Sequence, residues 1–407
     1  MGVGGRLMDL LTPKSLPSVY YELMFVGFAL MMGMSLPGSF LPIMAQDLDP
    51  SGVLVGMVIS AWFLSRIFLE LPAGMLSDRI GRRRLLIFGI GFSSFGPILC
   101  AFATNIYMLI LGRAIWGLGT AFYFMNNTAL LMDILPVNVR GRALGFFQGL
   151  EFVGSFMGAP IGAFLTLYMS FSQVFYFTLM LTLVSLMIAW RSSSVKETET
   201  RGSVRSRVPL REVFRSLTNW GIVVVCLSNF LRMFITQGVF QTIFQLFLNE
   251  DLLFSIEVIG LILSARIAGQ AASIIFAGIL SDRVGRRPIL IVGYVISASA
   301  FYAFTLTSDF GAMLVIALLQ GIGEGFGLTT LIALLTDLSP PNIRGGVVGM
   351  FRTFQDLGGF TGPIAFMLLY ESIAAINIFY LCAVLNLFNI VLMLTLRAEQ
   401  DGANQVA

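Results

Sequence analysis

Histidine is absent from this 407-residue chain. Every chemistry that needs an imidazole goes with it, from nucleophilic triads to His-ligated metals. Cysteine is scarce. Cys100, Cys226 and Cys382 each stand alone in an apolar run, which argues against a disulfide framework and against a CxxC metal site. Charge is scarce too, at 12% of residues, where a soluble domain carries about 25%. What fills the space is apolar: 57% of the residues are hydrophobic and the mean hydropathy is +0.87. A water-soluble fold of this length has too little interior for that much apolar surface. Soluble enzymes are therefore excluded, and the sequence calls for no cofactor, no metal and no nucleic-acid partner.

A membrane helix needs about 20 mainly apolar residues. Twelve such runs are present, at roughly 20–44, 52–77, 85–103, 106–132, 143–168, 172–190, 219–247, 255–280, 288–307, 311–336, 345–370 and 373–396. A membrane barrel would alternate in segments of about ten residues, and these runs are longer and unbroken. The expected fold is all-α, with spans 1 to 12 crossing a bilayer. Residues 1–19 lack the apolar core and small-residue cleavage site of a signal peptide.

Basic residues orient such a chain. Outside the spans, 20 Lys and Arg fall on one side and none on the other, which instead carries Asp47, Asp49, Glu250, Asp251, Glu257, Asp309 and Glu371. This places both termini in the cytoplasm of a multi-pass protein of the cytoplasmic membrane. Residues 191–215 form the one long polar stretch and divide the chain into 1–190 and 216–407.

These halves repeat. Residues 74–90 read GMLSDRIGRRRLLIFGI and residues 278–294 read GILSDRVGRRPILIVGY, with 11 of 17 positions identical. The offset of 204 continues through Gly117/Gly321, Gly119/Gly323, Asp133/Asp337, Pro136/Pro340, Arg140/Arg344 and Gly158/Gly362. Both halves start on the same side, so they are parallel repeats, a known transporter plan. A carboxylate at a helix end can meet a neighbouring helix N-terminus. Gly81 permits a tight turn, and Arg82 and Arg83 can pair with acids such as Asp133.

On these residues the chain resembles the major facilitator superfamily over almost its whole length. The loop signature G-x-x-x-D-R-x-G-R-R is matched by Gly74, Asp78, Arg79, Gly81, Arg82 and Arg83. It is matched again by Gly278, Asp282, Arg283, Gly285, Arg286 and Arg287. Asp133 with Arg140, and Asp337 with Arg344, resemble the family's next cytoplasmic loop pattern. Arg113-x-x-x-Gly117-x-Gly119 is similar to a span 4 motif of proton-coupled members. The resemblance implies that the two loops form a cytoplasmic gate. It also implies that spans 1, 4, 7 and 10, with faces of 2, 5, 8 and 11, line a cavity. Gly154, Gly158 and Pro160 resemble only loosely the glycine-proline motif of the family's drug antiporters, because Ala159 intervenes.

Nine ionisable residues lie well inside spans: Arg66, Glu70, Arg113, Glu151, Arg232, Arg266, Glu324, Arg352 and Asp356. A charge at the bilayer centre costs roughly 2.5–3.5 kcal/mol on insertion scales, so such groups face an interior or a wet cavity and find partners. Arg66–Glu70 and Arg352–Asp356 are spaced for same-face pairs. Arg232 and Glu324 each lie ~20 Å along their helices, near the midplane. The interior charges do not repeat: Arg66, Arg113, Glu151 and Glu324 correspond to Gln270, Ala317, Gln355 and Thr120.

The expected activity is secondary transport of a small organic solute, charged or zwitterionic, coupled to protons through alternating access by two rocking halves. The expected protein is a monomer and not an enzyme. Without histidine, the proton falls to Glu324, Glu151, Glu70 and Asp356, with Arg66 and Arg352 as charge partners. Arg113, Arg232 and Arg266 are candidates for the solute's anionic group. Gln237, Gln241 and Gln245 form a helical stripe, and Tyr123, Asn126 and Asn127 a second polar patch, both suited to lining the cavity. The alternatives are a multidrug efflux antiporter, a passive facilitator and a membrane sensor without transport.

Overall fold

In lipid every backbone polar group must be satisfied within the protein, which favours long helices. The computed structural model describes residues 16–135, 140–192, 215–340 and 343–406, without the side chains of 70–75, 77–79, 140–142, 145, 275, 345 and 397–406. Among the described residues all regular structure is helical. Span 1 runs through Ser18–Ser35, a turn at Leu36–Ser39 and the short helix Leu41–Leu48. Span 2 is Gly52–Ile80, span 3 is Arg82–Ser93 with Phe95–Ala101, and span 4 is Ile106–Ile134. Spans 5 and 6 are Arg140–Leu165 and Phe171–Arg191. Span 7 starts as Trp220–Gly238 and continues to Asp251. Spans 8 to 12 are Ile256–Val284, Arg286–Phe304, Phe310–Leu338, Arg344–Tyr370 and Ala375–Val406. Among the described residues, ten helical segments are long and apolar enough to cross a membrane. The two spans outside that count, 5 and 11, correspond to each other in the repeat. Large apolar side chains such as Phe68, Phe102, Leu111, Phe276 and Val315 lie exposed, as a lipid solvent permits and water does not.

Several helix starts are written locally. Asn105 caps span 4 and Asp309 caps span 10, each accepting from the backbone N–H three residues on at 2.9 Å. These two caps are one repeat apart. Ser170 and Gln173 close a reciprocal capping box on span 6, and Asn219 caps span 7. Gly81 and Gly285, also one repeat apart, both take φ of +102°, a value that an L side chain resists. That is the tight turn expected of the loop signature.

The chain divides into two compact units, Met1–Gly38 with Leu64–Arg205 and Ser39–Phe63 with Ser206–Ala407. In the first, span 5 lies so close to span 1 that a Cβ on Gly162 would come within 1.8 Å of the Leu36 carbonyl oxygen. Its core gathers Tyr20, Leu23, Leu86, Ile90, Tyr123, Leu131 and Phe147. In the second, span 10 meets span 8 the same way: a Cβ on Gly321 would come within 1.9 Å of the Arg266 carbonyl oxygen. Its core includes Leu290, Tyr294, Leu335, Val347, Phe351 and Met393. At the offset of 204, Leu290, Leu335 and Phe351 match Leu86, Leu131 and Phe147 in kind, whereas Val347 and Met393 stand opposite Ala143 and Ala189, and Tyr294 opposite Ile90.

Segment Ser39–Phe63 clusters with the second unit although it precedes most of the first. The Gly52 N–H donates to Glu371 Oε1 at 2.6 Å, Ser60 Oγ to the Phe360 carbonyl at 2.6 Å, and Gln46 Nε2 to Glu250 Oε1 at 2.6 Å. These are tertiary bonds with no trace in local sequence.

Candidate functional site

Within the second unit, three spans bring charge together. Glu324, on span 10, is buried and accepts from both arginines nearby. Arg232 Nη1 of span 7 approaches Oε1 at 3.3 Å, and Arg266 Nη1 of span 8 bonds Oε2. Thr236 Oγ1 adds a third bond to Oε1 at 3.0 Å. Arg232 is steadied by Asn229 Oδ1, which accepts from Nε at 3.3 Å and from Nη2 at 3.1 Å. Arg266 lies over the Phe240 ring at 4.5 Å, a contact that strengthens when desolvated. Two cations thus share one acid in a low-dielectric interior, and any change of charge on that acid alters the partners of both.

Asn229, Arg232 and Thr236 follow at i, i+3 and i+7 on one helix face, so their joint role was readable from spacing. The rarity of buried charge singled out Arg232 alone among the three. Tyr294 and Gln320, which border the same region, were not singled out either. Gln320 stands four residues before Glu324 on the same face, whereas an isolated tyrosine in an apolar run carries no periodic signal.

The first unit holds a different acid. Glu151, on span 5, is hydrogen-bonded by Tyr123, whose hydroxyl accepts from Asn127 Nδ2 at 3.1 Å. Its Oε1 is buried without a hydrogen-bond partner among the described residues. It rests against span 1, where Gly27 leaves room: a Cβ there would come within 3.0 Å of Oε1. Among the described residues the ion pairs include no partner for Glu151. Arg66 is placed over Phe124 at 5.3 Å and Arg113 over Trp116 at 5.3 Å. Asn126 donates to the Phe122 carbonyl at 2.8 Å.

The expected same-face pairs fare differently. Glu70 has its side chain outside the described residues. Asp356 is buried at 1% exposed and Arg352 is half-buried.

The glutamine stripe crosses a change of helix geometry. Residues Val239–Ile243 and Phe247–Asp251 are π-helical, which widens the turn and alters register. Gln237 and Gln241 are half-buried, whereas Gln245 is fully buried and donates to the Phe240 carbonyl at 3.0 Å. That amide thus bonds the backbone of its own distorted helix.

The loop signature is built twice. Arg82 forms an ion pair with Asp133 and donates to the Ala129 carbonyl at 2.6 Å, while Arg83 donates to the Trp190 carbonyl at 2.9 Å. One repeat on, Arg286 pairs with Asp337 at 3.2 Å and with Asp282. Arg287 donates to the carbonyls of Met393 at 2.6 Å and Leu394 at 3.2 Å. Trp190 and Leu394 are themselves 204 apart. Gly278 has open space around it, and Arg283 and Arg344 are exposed. Gly74, Asp78, Arg79 and Arg140 have side chains outside the described residues.

The family model of the Major Facilitator Superfamily matches residues 23–245 and again 225–406. The chain belongs to that superfamily. It is 22% identical over 353 residues to multidrug resistance protein 1 of Bacillus subtilis (strain 168), covering 86% of this chain and 88% of that protein. It is 27% identical over 381 residues to the multidrug resistance protein MdtG of Klebsiella pneumoniae (strain 342), covering 91% and 92%. Among solved structures, a D-xylose-proton symporter superposes with a TM-score of 0.76 at 16% identity, over 92% of this chain and 96% of that one. This last likeness speaks to fold alone. The chain is therefore a multi-pass membrane transporter of the superfamily.

Proposed function

We propose that this protein is a proton-coupled secondary transporter of a small organic solute in the cytoplasmic membrane, both termini cytoplasmic, working by alternating access through its halves 1–190 and 216–407. The observation that carries the reading is the sharing of one buried carboxylate, Glu324, by Arg232 and Arg266. An ionised Glu324 engages both arginines. A proton on Glu324 releases them toward an anionic group of a charged or zwitterionic solute, and loss of the proton recaptures them. Coupling then needs no histidine. Glu151 is the second proton carrier, held by Tyr123 rather than by a cation.

A second reading, export of drug-like compounds, is favoured by the names of the Bacillus and Klebsiella relatives. The test for both is flux in proteoliposomes of the full chain under an imposed pH gradient. Tetraphenylphosphonium and ethidium serve as cationic probes and a fluorescent amphipathic carboxylate as the anionic one. Driven flux of the carboxylate, lost in Arg232→Ala and in Glu324→Gln, supports the first reading. Driven flux of the cations alone selects the second. Flux that ignores the gradient, and is unchanged in both variants, removes proton coupling and the site assignment together.

A further inference from the structure

Beside the Glu324 cluster the second unit contains a small cavity. It is bordered by Arg232 and Thr236 of span 7, Tyr294 and Ser297 of span 9, and Gln320 and Glu324 of span 10. It leaves about 20 Å³ for the centre of a water molecule, and one water needs roughly 10–15 Å³ of such space with two to four polar partners. Two polar groups on its wall lack their bonds. Gln320 Oε1 is buried without a partner among the described residues, in a side chain 3% exposed. The Tyr294 hydroxyl, 4% exposed, lies beside Ser228 with no hydrogen bond of normal geometry. Leaving such groups dry forfeits the hydrogen bonds they would make to water.

The repeat explains why the cavity exists. At the offset of 204, Gln320 corresponds to Trp116, Tyr294 to Ile90 and Glu324 to Thr120. Trp116 is 1% exposed and is among the largest fully buried side chains, and Ile90 belongs to the first unit's core. The same scaffold is thus filled with indole and isoleucine in one unit. In the other it carries an amide and a phenol around an open space. The core requires neither polar group for packing.

We propose that this cavity binds one ordered water, held by Tyr294 Oη and Gln320 Oε1, and that the water relays protons to Glu324 from the side of spans 9 and 12. The relay half of the inference rests on Glu324 as a proton carrier; the water site does not. The charged groups that meet Glu324 are Arg232 from span 7 and Arg266 from span 8, while Tyr294 of span 9 and Asn386 of span 12 border the same cavity. Tyr294 and Gln320 act here as positioning residues. No bond is made or broken beyond proton transfer: the water gives one proton to the Glu324 carboxylate and takes one from the Tyr294 hydroxyl, which a hydronium from bulk water re-protonates, so the net change is one bulk proton on Glu324.

The test uses the purified full chain. A high-resolution density map is expected to show one water within hydrogen-bond reach of Tyr294 Oη and Gln320 Oε1. Gln320→Trp, which restores the first unit's filling, is expected to remove it. A map that resolves other buried waters and leaves this cavity empty overturns the inference. The relay is read by infrared spectroscopy after a pH jump, on the carboxyl band that Glu324→Gln abolishes. In Tyr294→Phe, and in Gln320→Leu should the first variant fail to fold, the band is expected to reach its full amplitude about tenfold more slowly. An unchanged rate overturns the relay alone. A Glu324→Gln spectrum that loses no carboxyl band overturns the relay together with Glu324 as the proton carrier, leaving the water site to be decided by the map.

Discussion

Glu324 and Glu151 are buried acids on corresponding frameworks, and their surroundings differ in kind. Glu324 receives two arginines and a threonine hydroxyl. Glu151 receives a tyrosine hydroxyl and has an oxygen with no partner among the described residues. The repeat has copied turns, caps, close glycine contacts and the loop ion pairs between the units, and it has not copied the interior charges. The difference teaches which contacts belong to the scaffold and which to the site. Other residues depend on Glu324 for neutralisation, while at Glu151 no cation among the described residues pairs with the acid.

The largest expected effect breaks this comparison at its strongest point. Glu324→Gln leaves two buried guanidinium groups facing each other, and breaking a buried ion pair costs about 3–5 kcal/mol. Glu151→Gln removes no counter-charge, so a loss of about 1 kcal/mol or less is expected. Apparent melting temperatures of the detergent-purified variants check both. Equal losses would show that Glu324 is no more central to its unit than Glu151. The triple change Arg232→Met, Arg266→Met, Glu324→Leu sharpens the test. Replacing a buried ionic triad with apolar residues can be neutral or stabilising, so stability should return while driven flux stays lost.

Next in size are the close approaches that carry the scaffold. Gly321→Ala places a methyl 1.9 Å from the Arg266 carbonyl, on backbone that cannot rotate away. A loss of about 1–3 kcal/mol is expected from the forced separation of spans 8 and 10. Gly162→Ala, at 1.8 Å from the Leu36 carbonyl, should cost the first unit a similar amount. Gly349→Ala meets open space and should be neutral. Thermal denaturation separates these outcomes. A harmless Gly321→Ala would mean that the two units differ in packing as well as in charge.

Much of this scaffold was legible in the sequence. Long apolar runs mark the spans because lipid rewards them wherever they occur. The offset of 204 carries over to turns at Gly81 and Gly285, to caps at Asn105 and Asp309, and to carbonyls at Trp190 and Leu394. The rarity of interior charge also pointed to Arg232, Arg266 and Glu324. Their mutual pairing was not legible, since it depends on how three separate helices approach one another. The π-helical turns of span 7 were hidden too, because hydropathy does not record one extra residue per turn. Tyr294 carried no local signal at all. It stands out only when aligned with Ile90, as Gln320 does against Trp116.

A smaller effect is expected at Tyr123. Its hydroxyl joins Asn127 to Glu151, so Tyr123→Phe removes one bond to a buried acid and one acceptor for a buried amide, at about 1–2 kcal/mol. The loss should vanish in the Glu151→Leu, Asn127→Leu background, where nothing remains to be bonded. A double-mutant cycle on thermal stability measures this. If the cost of Tyr123→Phe persists there, the ring's packing sets it, and Glu151 has lost the one contact that distinguishes it.

The smallest effect compares the two loop signatures. Arg82 and Asp133 are 12% and 28% exposed in their side chains, against 25% and 56% for Arg286 and Asp337. Both pairs border water, where such bridges contribute about 0–1 kcal/mol. The less exposed pair is screened less, so Arg82→Ala should cost more than Arg286→Ala, and its cost should fall less when salt is raised. Arg286 also has Asp282 as a second partner, so Asp337→Ala leaves it an acid to hold. Melting temperatures at low and high salt for the four variants decide the order. The reverse order would mean that the second signature, and not the first, holds its unit together, in spite of the greater exposure of its pair.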